Sequence, residues 1–248
     1  MTSGATDALR ADRDALLEIC AGLSGSDWKA ESGCEGWSVQ DVVAHMGALF
    51  WQVVDPTVLL DTGDAPTEAA QDLLVASRRS WSAQQVLDDY VGVSATALDR
   101  AAELEQQDFV LEMGDFGTYP VSVLPNAFAF DHYTHIRADL FAPRGPLTST
   151  PPPSDVLRLV PTLDWIAAAL PQHSATVVAQ LQGAVEISAT GVGARIITAG
   201  EGEVVATIES DGPSLVRWIT QRGAWDDLGV RATGDEAALA VARTFKVF

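Results

Sequence analysis

The sequence predicts an α+β chain in two parts, a four-helix bundle followed by a small α+β domain with an antiparallel sheet. Three observations predict it. The hydrophobic period is helical up to about residue 142 and changes to short β-branched runs after residue 174. A proline-rich segment, residues 143–153, lies between the two patterns and disfavours helix over its own length. The charge is also uneven: residues 1–142 hold 23 acids and 7 bases, net −16, whereas residues 143–248 hold 11 and 8, net −3. The expected divisions are therefore a bundle over 1–142, a linker over 143–153 and a second domain over 154–248.

Each element follows from local signals. Leu9, Leu16, Leu17, Cys20 and Leu23 recur along one side of a first helix over 5–23. A second helix starts at Ser38, with Asp41 three residues on as a weaker relative of the capping box, and carries Val42, Val43, Met46, Leu49, Phe50 and Val53. A short helix follows over 67–79. Ser82 and Gln85 form a full capping-box pair that opens a third long helix to about residue 106. Residues 108–119 suggest a loop or short hairpin. The fourth helix spans 120–142, with Pro120 suited to its first turn and Pro125 placed to kink it. After the linker come a helix over 154–170 and β-branched runs at 175–181, 184–189, 194–199 and 203–210 between glycine turns. Pro213 opens a helix to residue 221, residues 228–233 form a fifth strand, and Asp235 caps the last helix.

Composition excludes several function classes. The 248 residues carry a net charge of −19, which opposes binding to nucleic acid or to an anionic membrane surface. No apolar run approaches the roughly 20 residues of a membrane span, and the acidic start lacks a signal-peptide pattern, so a cytoplasmic monomer or homodimer is expected. Cys20 and Cys34 form no disulfide framework or CxxC pair, and two free thiols with Cys20 buried are expected. The sequence contains no GxSxG motif and no phosphate-binding glycine loop.

Chemistry concentrates on the second and fourth helices. At about 100° per residue, Leu124, Phe128, Asp131, His135 and Asp139 share one side of the fourth helix. Asp131 and His135 thus continue an apolar stripe, and a carboxylate placed there needs a compensating partner. His45 flanks the apolar stripe of the second helix, one turn from Asp41. Two imidazoles and a carboxylate on facing bundle helices suit a divalent cation. Asp131 and His135 fit a structural i,i+4 pair equally well, with His45 a satisfied core residue. His132 stands close enough around the helix to substitute as a ligand. His173 is expected to meet carbonyls at a helix end, Arg137 to lie at the surface or between domains, and Trp37 to staple the second helix.

Two stretches carry a resemblance. GWSVQDVVAHMGALF, residues 36–50, and DHYTHIRADL, residues 131–140, resemble the two signatures of the mycothiol-dependent maleylpyruvate isomerase family, within the DinB-like metal-binding bundles. The C-terminal half resembles the smaller domain of those proteins, related in shape to sterol carrier proteins. The resemblance implies a divalent metal, typically zinc, held by His45, Asp131 and His135, with His132, Asp139 and Asp41 orienting the ligands. Asp131 stands where the isomerase itself has Glu, one methylene longer. The implied cosubstrate is mycothiol, a thiol of actinobacteria, an origin that the alanine-rich, lysine-poor composition fits. Two functions follow. One is a metal- and thiol-dependent isomerase or S-transferase acting on a small electrophile, with Arg217, Arg222 or Arg231 meeting an anionic substrate. The other is a non-catalytic protein that binds an apolar ligand and keeps the His/Asp cluster for structure.

Overall fold

The computed structural model describes residues 4–192 and 195–248, which fall into two compact units, 1–153 and 154–248. In the first, α1 (Ala5–Gly22) precedes a short α2 (Gly25–Lys29), then α3 (Val39–Val54), α4 (Thr67–Ala76) and α5 (Ala83–Leu104). A hairpin of β1 (Val110–Glu112) and β2 (Thr118–Pro120) leads through a 3-10 turn into α6 (Leu124–Thr134). The bundle consists of α1, α3, α5 and α6, with α3 along α5 and α1 against both α5 and α6. Leu9, Leu16, Val42, Val43, Met46, Phe50, Val86, Tyr90, Val93, Leu98 and Ile136 are buried between them. Each such side chain contributes about 1.5–3 kcal/mol.

Three of these helices begin at reciprocal caps. Ser24 with Asp27, Ser38 with Asp41 and Ser82 with Gln85 each exchange both capping bonds, so Asp41 completes a full box rather than a weakened one. The fourth bundle helix departs from the expected 120–142. Pro125 sits in the first turn of α6, where a missing N–H costs no bond, so it starts the helix instead of kinking it. At the other end α6 passes into a π-helix over His135–Leu140, a wider turn that is rare outside functional sites.

The segment after the π-helix folds back before it extends. Ala142 N donates to Leu147 O (2.8 Å) and Leu147 N to Leu140 O (3.0 Å), and Arg137 donates to Pro153 O (2.9 Å). Arg137 is not at the surface. Its guanidinium forms a two-pronged pair with Asp12 of α1 (2.7 and 3.1 Å) over the Tyr133 ring, and both side chains are almost fully buried. The extended turn of the π-helix carries the arginine back toward α1 rather than outward.

The second unit holds α7 (Val156–His173), α8 (Ala175–Val178), β3 (Ala184–Thr190), β4 (Arg195–Ala199), β5 (Val204–Asp211), α9 (Gly212–Ile219), β6 (Arg231–Gly234) and α10 (Glu236–Ala242). The sheet order is β4-β3-β5-β6, antiparallel in its two outer pairs and parallel between β3 and β5. One expectation needs correction. Residues 175–181 form α8 and a turn instead of a strand, because Ser174 O receives Val177 N and Val178 N and continues the helical path. β-branched composition alone does not make a strand without a partner edge. His173, at the end of α7, stacks on Phe248 (4.3 Å) and accepts from its backbone N (3.3 Å). The expected strand 194–199 is described from Arg195 onward.

No helix among the described residues is long and apolar enough to cross a membrane. Replacing Asp12 with Ala strands the buried Arg137 guanidinium and should destabilise the first unit by about 3–5 kcal/mol in denaturant titration. Replacing both residues with apolar side chains of similar volume should cost much less.

Candidate metal centre

The cap at Ser38 fixes where α3 begins, and His45 follows two turns later, buried and facing α6. Asp131 lies near the end of α6 and His135 at the first residue of the π-helix. α6 is buried on nearly all sides, with Ala129, Phe130, His132, Tyr133 and Ile136 in the core. Phe128 and Asp131 are only half-buried, and His135 is 9% exposed. The stripe that carries the site is thus the rim of the helix, not its innermost face.

The three side chains meet at one oxygen. His45 Nε2 lies 3.0 Å and His135 Nε2 3.4 Å from Asp131 Oδ1. One ligand atom from each residue falls within 4.8 Å of the other two. Donors around a tetrahedral zinc, at bonds of about 2.0–2.2 Å, stand roughly 3.4 Å apart, so the spacing accommodates such a cation with small adjustments. Asp131 Oδ2 and His45 Nδ1 are buried without a hydrogen-bond partner among the described residues. A buried carboxylate oxygen left in that state is costly, and a cation would compensate it. The residues therefore fit a divalent metal ion, and the shorter Asp reaches the two imidazoles without help from a longer side chain.

Electrostatics bind the group together. Burial opposes ionisation of Asp131, but the two adjacent imidazoles outweigh it and hold the carboxyl well below the usual carboxylate range. Burial likewise opposes a charge on His135, and the Asp131 carboxylate, together with Asp139, overrides it and lifts the imidazole well above its ordinary value. His135 Nδ1 is 2.9 Å from Asp139 Oδ2. Carboxylates offer only lone pairs, so Nδ1 donates to Asp139 and, with no cation bound, Nε2 carries a hydrogen toward Asp131; a cation would displace the Nε2 hydrogen and leave Nδ1 donating to Asp139.

The other expected residues divide. Asp139, fully buried, orients His135 directly. His132 stands 3.9 Å from Asp131 Oδ2 but is committed elsewhere: its Nδ1 donates to Phe128 O (3.0 Å), its Nε2 accepts from Tyr90 OH (3.1 Å), and its ring stacks on Phe50. Burial pushes its pKa down, which suits a neutral core imidazole. Asp41 is occupied by the Ser38 cap and stands 3.6 Å from Arg79. In the second unit, Arg231 pairs with Glu209, Arg222 donates to Thr220 O (3.3 Å), and Arg217 lies in the last turn of α9.

Two residues of the α2–α3 loop join the site unexpectedly. The Trp37 ring packs on His45 (5.1 Å) and stacks on His135 (6.3 Å, 22°), held by Nε1 donating to Asp72 (2.9 Å). It covers the ligands rather than acting only as a helix staple. Cys34 Sγ approaches His135 Nδ1 to 3.5 Å. The signal for both was the flanking glycines. Gly36 has φ of +76°, and a Cβ on Gly33 would lie 2.8 Å from Asp139 Oδ1. Gly33 N donates to Asp139 O (2.7 Å), and Arg144 donates to Gly33 O, so the loop rests directly on the π-helix.

The two thiols differ accordingly. Cys20 is buried and its pKa is pushed up to about 12 by burial, while Cys34 is half-buried at the rim. An alkylating reagent should modify one thiol per native chain at neutral pH, and the Cys34→Ser variant should show none until it is unfolded.

The chain matches two crystal structures, of the mycothiol-dependent maleylpyruvate isomerase and of a histidine-to-alanine mutant of it, each with a TM-score of 0.61 and 14% identity. Each match covers 93% of this chain and 92% of the other. No curated protein matches the sequence. The profile of the mycothiol maleylpyruvate isomerase N-terminal domain matches residues 9–139, which include the capped α3, His45, Asp131, His135 and Asp139. The chain belongs to the mycothiol-dependent maleylpyruvate isomerase family.

Proposed function

We propose that the chain is a metal- and thiol-dependent isomerase or S-transferase acting on a small electrophile, with His45, Asp131 and His135 as the ligands of a divalent cation, zinc in the first instance, and mycothiol as the thiol. The observation that carries this reading is the convergence of two imidazole nitrogens on Asp131 Oδ1 while Oδ2 is left buried without a partner. Family membership supports the thiol-dependent chemistry. A bound divalent cation supplies a Lewis acid that lowers the pKa of a thiol and so furnishes a nucleophile at neutral pH.

The chain's own residues prepare the site for that role. Asp131 provides the negative charge that offsets a cation, and its oxygen lies between the two imidazoles. Asp139 fixes the His135 hydrogen on Nδ1, which keeps Nε2 available as a donor. Trp37 shields one side of both imidazoles and lowers the local dielectric around them. Arg217, Arg222 and Arg231 are the residues we propose as countercharge for an anionic substrate.

Metal analysis tests the reading. The wild type purified without added metal should hold one equivalent of zinc, and His45→Ala should hold none while keeping its helical circular dichroism. Equal metal in both proteins would overturn the ligand assignment. Asp139→Asn should still bind, with an affinity about 10–100-fold weaker. Activity toward electrophiles with an activated double bond should require mycothiol and disappear in His45→Ala; thiol-independent turnover would contradict the proposed chemistry.

A further inference from the structure

His135 faces two donor clusters, one at each ring nitrogen. Its Nε2 points to Asp131 and His45. Its Nδ1 lies 2.9 Å from Asp139 Oδ2 and 3.5 Å from Cys34 Sγ. The atoms of Cys34, His135 and Asp139 also fall within 4.8 Å of one another, as a second group distinct from the first. Cys34 and Asp139 belong to this second group only, so the thiol is not a fourth ligand of the His45 cluster.

The donor set has its own character. A thiol, an imidazole and a carboxylate favour thiophilic cations, cadmium ahead of zinc, whereas the His45 cluster offers nitrogen and oxygen alone and suits zinc. Zinc bonds of about 2.3 Å to sulfur and 2.0–2.1 Å to nitrogen, at a tetrahedral angle, separate the two donors by roughly 3.5 Å. The Cys34–His135 separation has that value. Asp139 Oδ1 lies 3.6 Å from Arg144 Nε, which leaves Oδ2 for the cluster. Cys34 is half-buried, whereas His135 and Asp139 are buried.

We propose that Cys34, His135 Nδ1 and Asp139 form a second cation site, selective for thiophilic metals, that competes with the His45 site for the same imidazole. A neutral imidazole has one lone pair and one N–H. With the hydrogen on Nδ1, His135 serves the His45 cluster and donates to Asp139. With the hydrogen on Nε2, it donates to Asp131 Oδ1 and its Nδ1 serves the Cys34 cluster. Binding at the second site releases two protons to solvent, one from the Cys34 thiol and one from His135 Nδ1, leaves the remaining imidazole hydrogen on Nε2, and withdraws His135 from the first. Cadmium or excess zinc would therefore antagonise a metal held by His45 without touching that residue.

Cadmium(II) added to the metal-free full-length chain tests this. The wild type should develop a thiolate-to-cadmium charge-transfer absorption in the ultraviolet that saturates at one equivalent. The band should be absent in Cys34→Ser, whose helical circular dichroism reports its folding, and should persist in His45→Ala. In Asp139→Asn it should require more cadmium to reach the same amplitude. No band in the wild type, or an unchanged band in Cys34→Ser, would overturn the site. Loss of the band in His45→Ala would merge the two clusters into one and overturn the competition. The competition rests on the proposed reading of the His45 cluster as a metal site, and the two fail separately: that reading on zinc content and thiol dependence, the second site on cadmium absorption.

Discussion

The Asp131 carboxylate is the point on which the first unit's chemistry turns. One oxygen is shared by two imidazoles from different helices, and the other is buried with no partner among the described residues. A lone carboxylate at the rim of an apolar helix would cost several kcal/mol, and the histidines are what make it tolerable. They do so incompletely, since two donors on one oxygen leave the second unsatisfied. A protein that needed only a stable rim would have no reason to gather three titratable groups there, and the cost points to a use.

Around that carboxylate the supporting structure is tied together by short polar contacts. The Ser38–Asp41 cap sets the start of α3, and with it the position of His45. The Asp12–Arg137 pair ties the π-helix to α1, and the Gly33 backbone ties it to the α2–α3 loop. Asp139 then connects this anchored segment to His135. The cap and the Asp139–His135 bond are local, whereas Asp12–Arg137 and Gly33–Asp139 join elements far apart in sequence, so the segment that orients the imidazole is held by α1 and by the α2–α3 loop.

Much of this was legible in the sequence where the signal was periodic. The capping residues, the apolar stripes and the change of period gave four bundle helices and a sheet-bearing second half, and the i,i+4 spacing of Asp131 and His135 placed both on one side of α6. Signals that depend on the partner were not legible. His132 differs from His135 by three positions, and only the proximity of Tyr90 and Phe50 decides that it is a core residue. Residues 175–181 have strand composition, but no neighbouring edge receives them. Arg137 resembles a surface charge until Asp12, 125 residues away, is seen beneath it. Cys34 and Trp37 precede any periodic segment, and their glycine neighbours indicated close approach without naming what was approached.

The π-helix gives α6 two registers. An i→i+5 bond pattern accommodates one residue more than an α-turn, so the residues after it are out of step with those before by the angle of one residue, about 100°. Asp131 and His135 belong to the first register, and Asp139 and Leu140 complete the slip. The residues that contact a cation and the residue that orients one of them are therefore indexed separately along the same helix. A deletion of one residue within 136–138 that restored α-helical pairing would remove only the residue that the wide turn absorbs, and would leave His45, Asp131 and His135 in their present relation to Asp139 and Arg144. A lineage without the wide turn would thus carry the same ligands and the same orienting carboxylate, with the spacing from His135 to that carboxylate shortened from four residues to three.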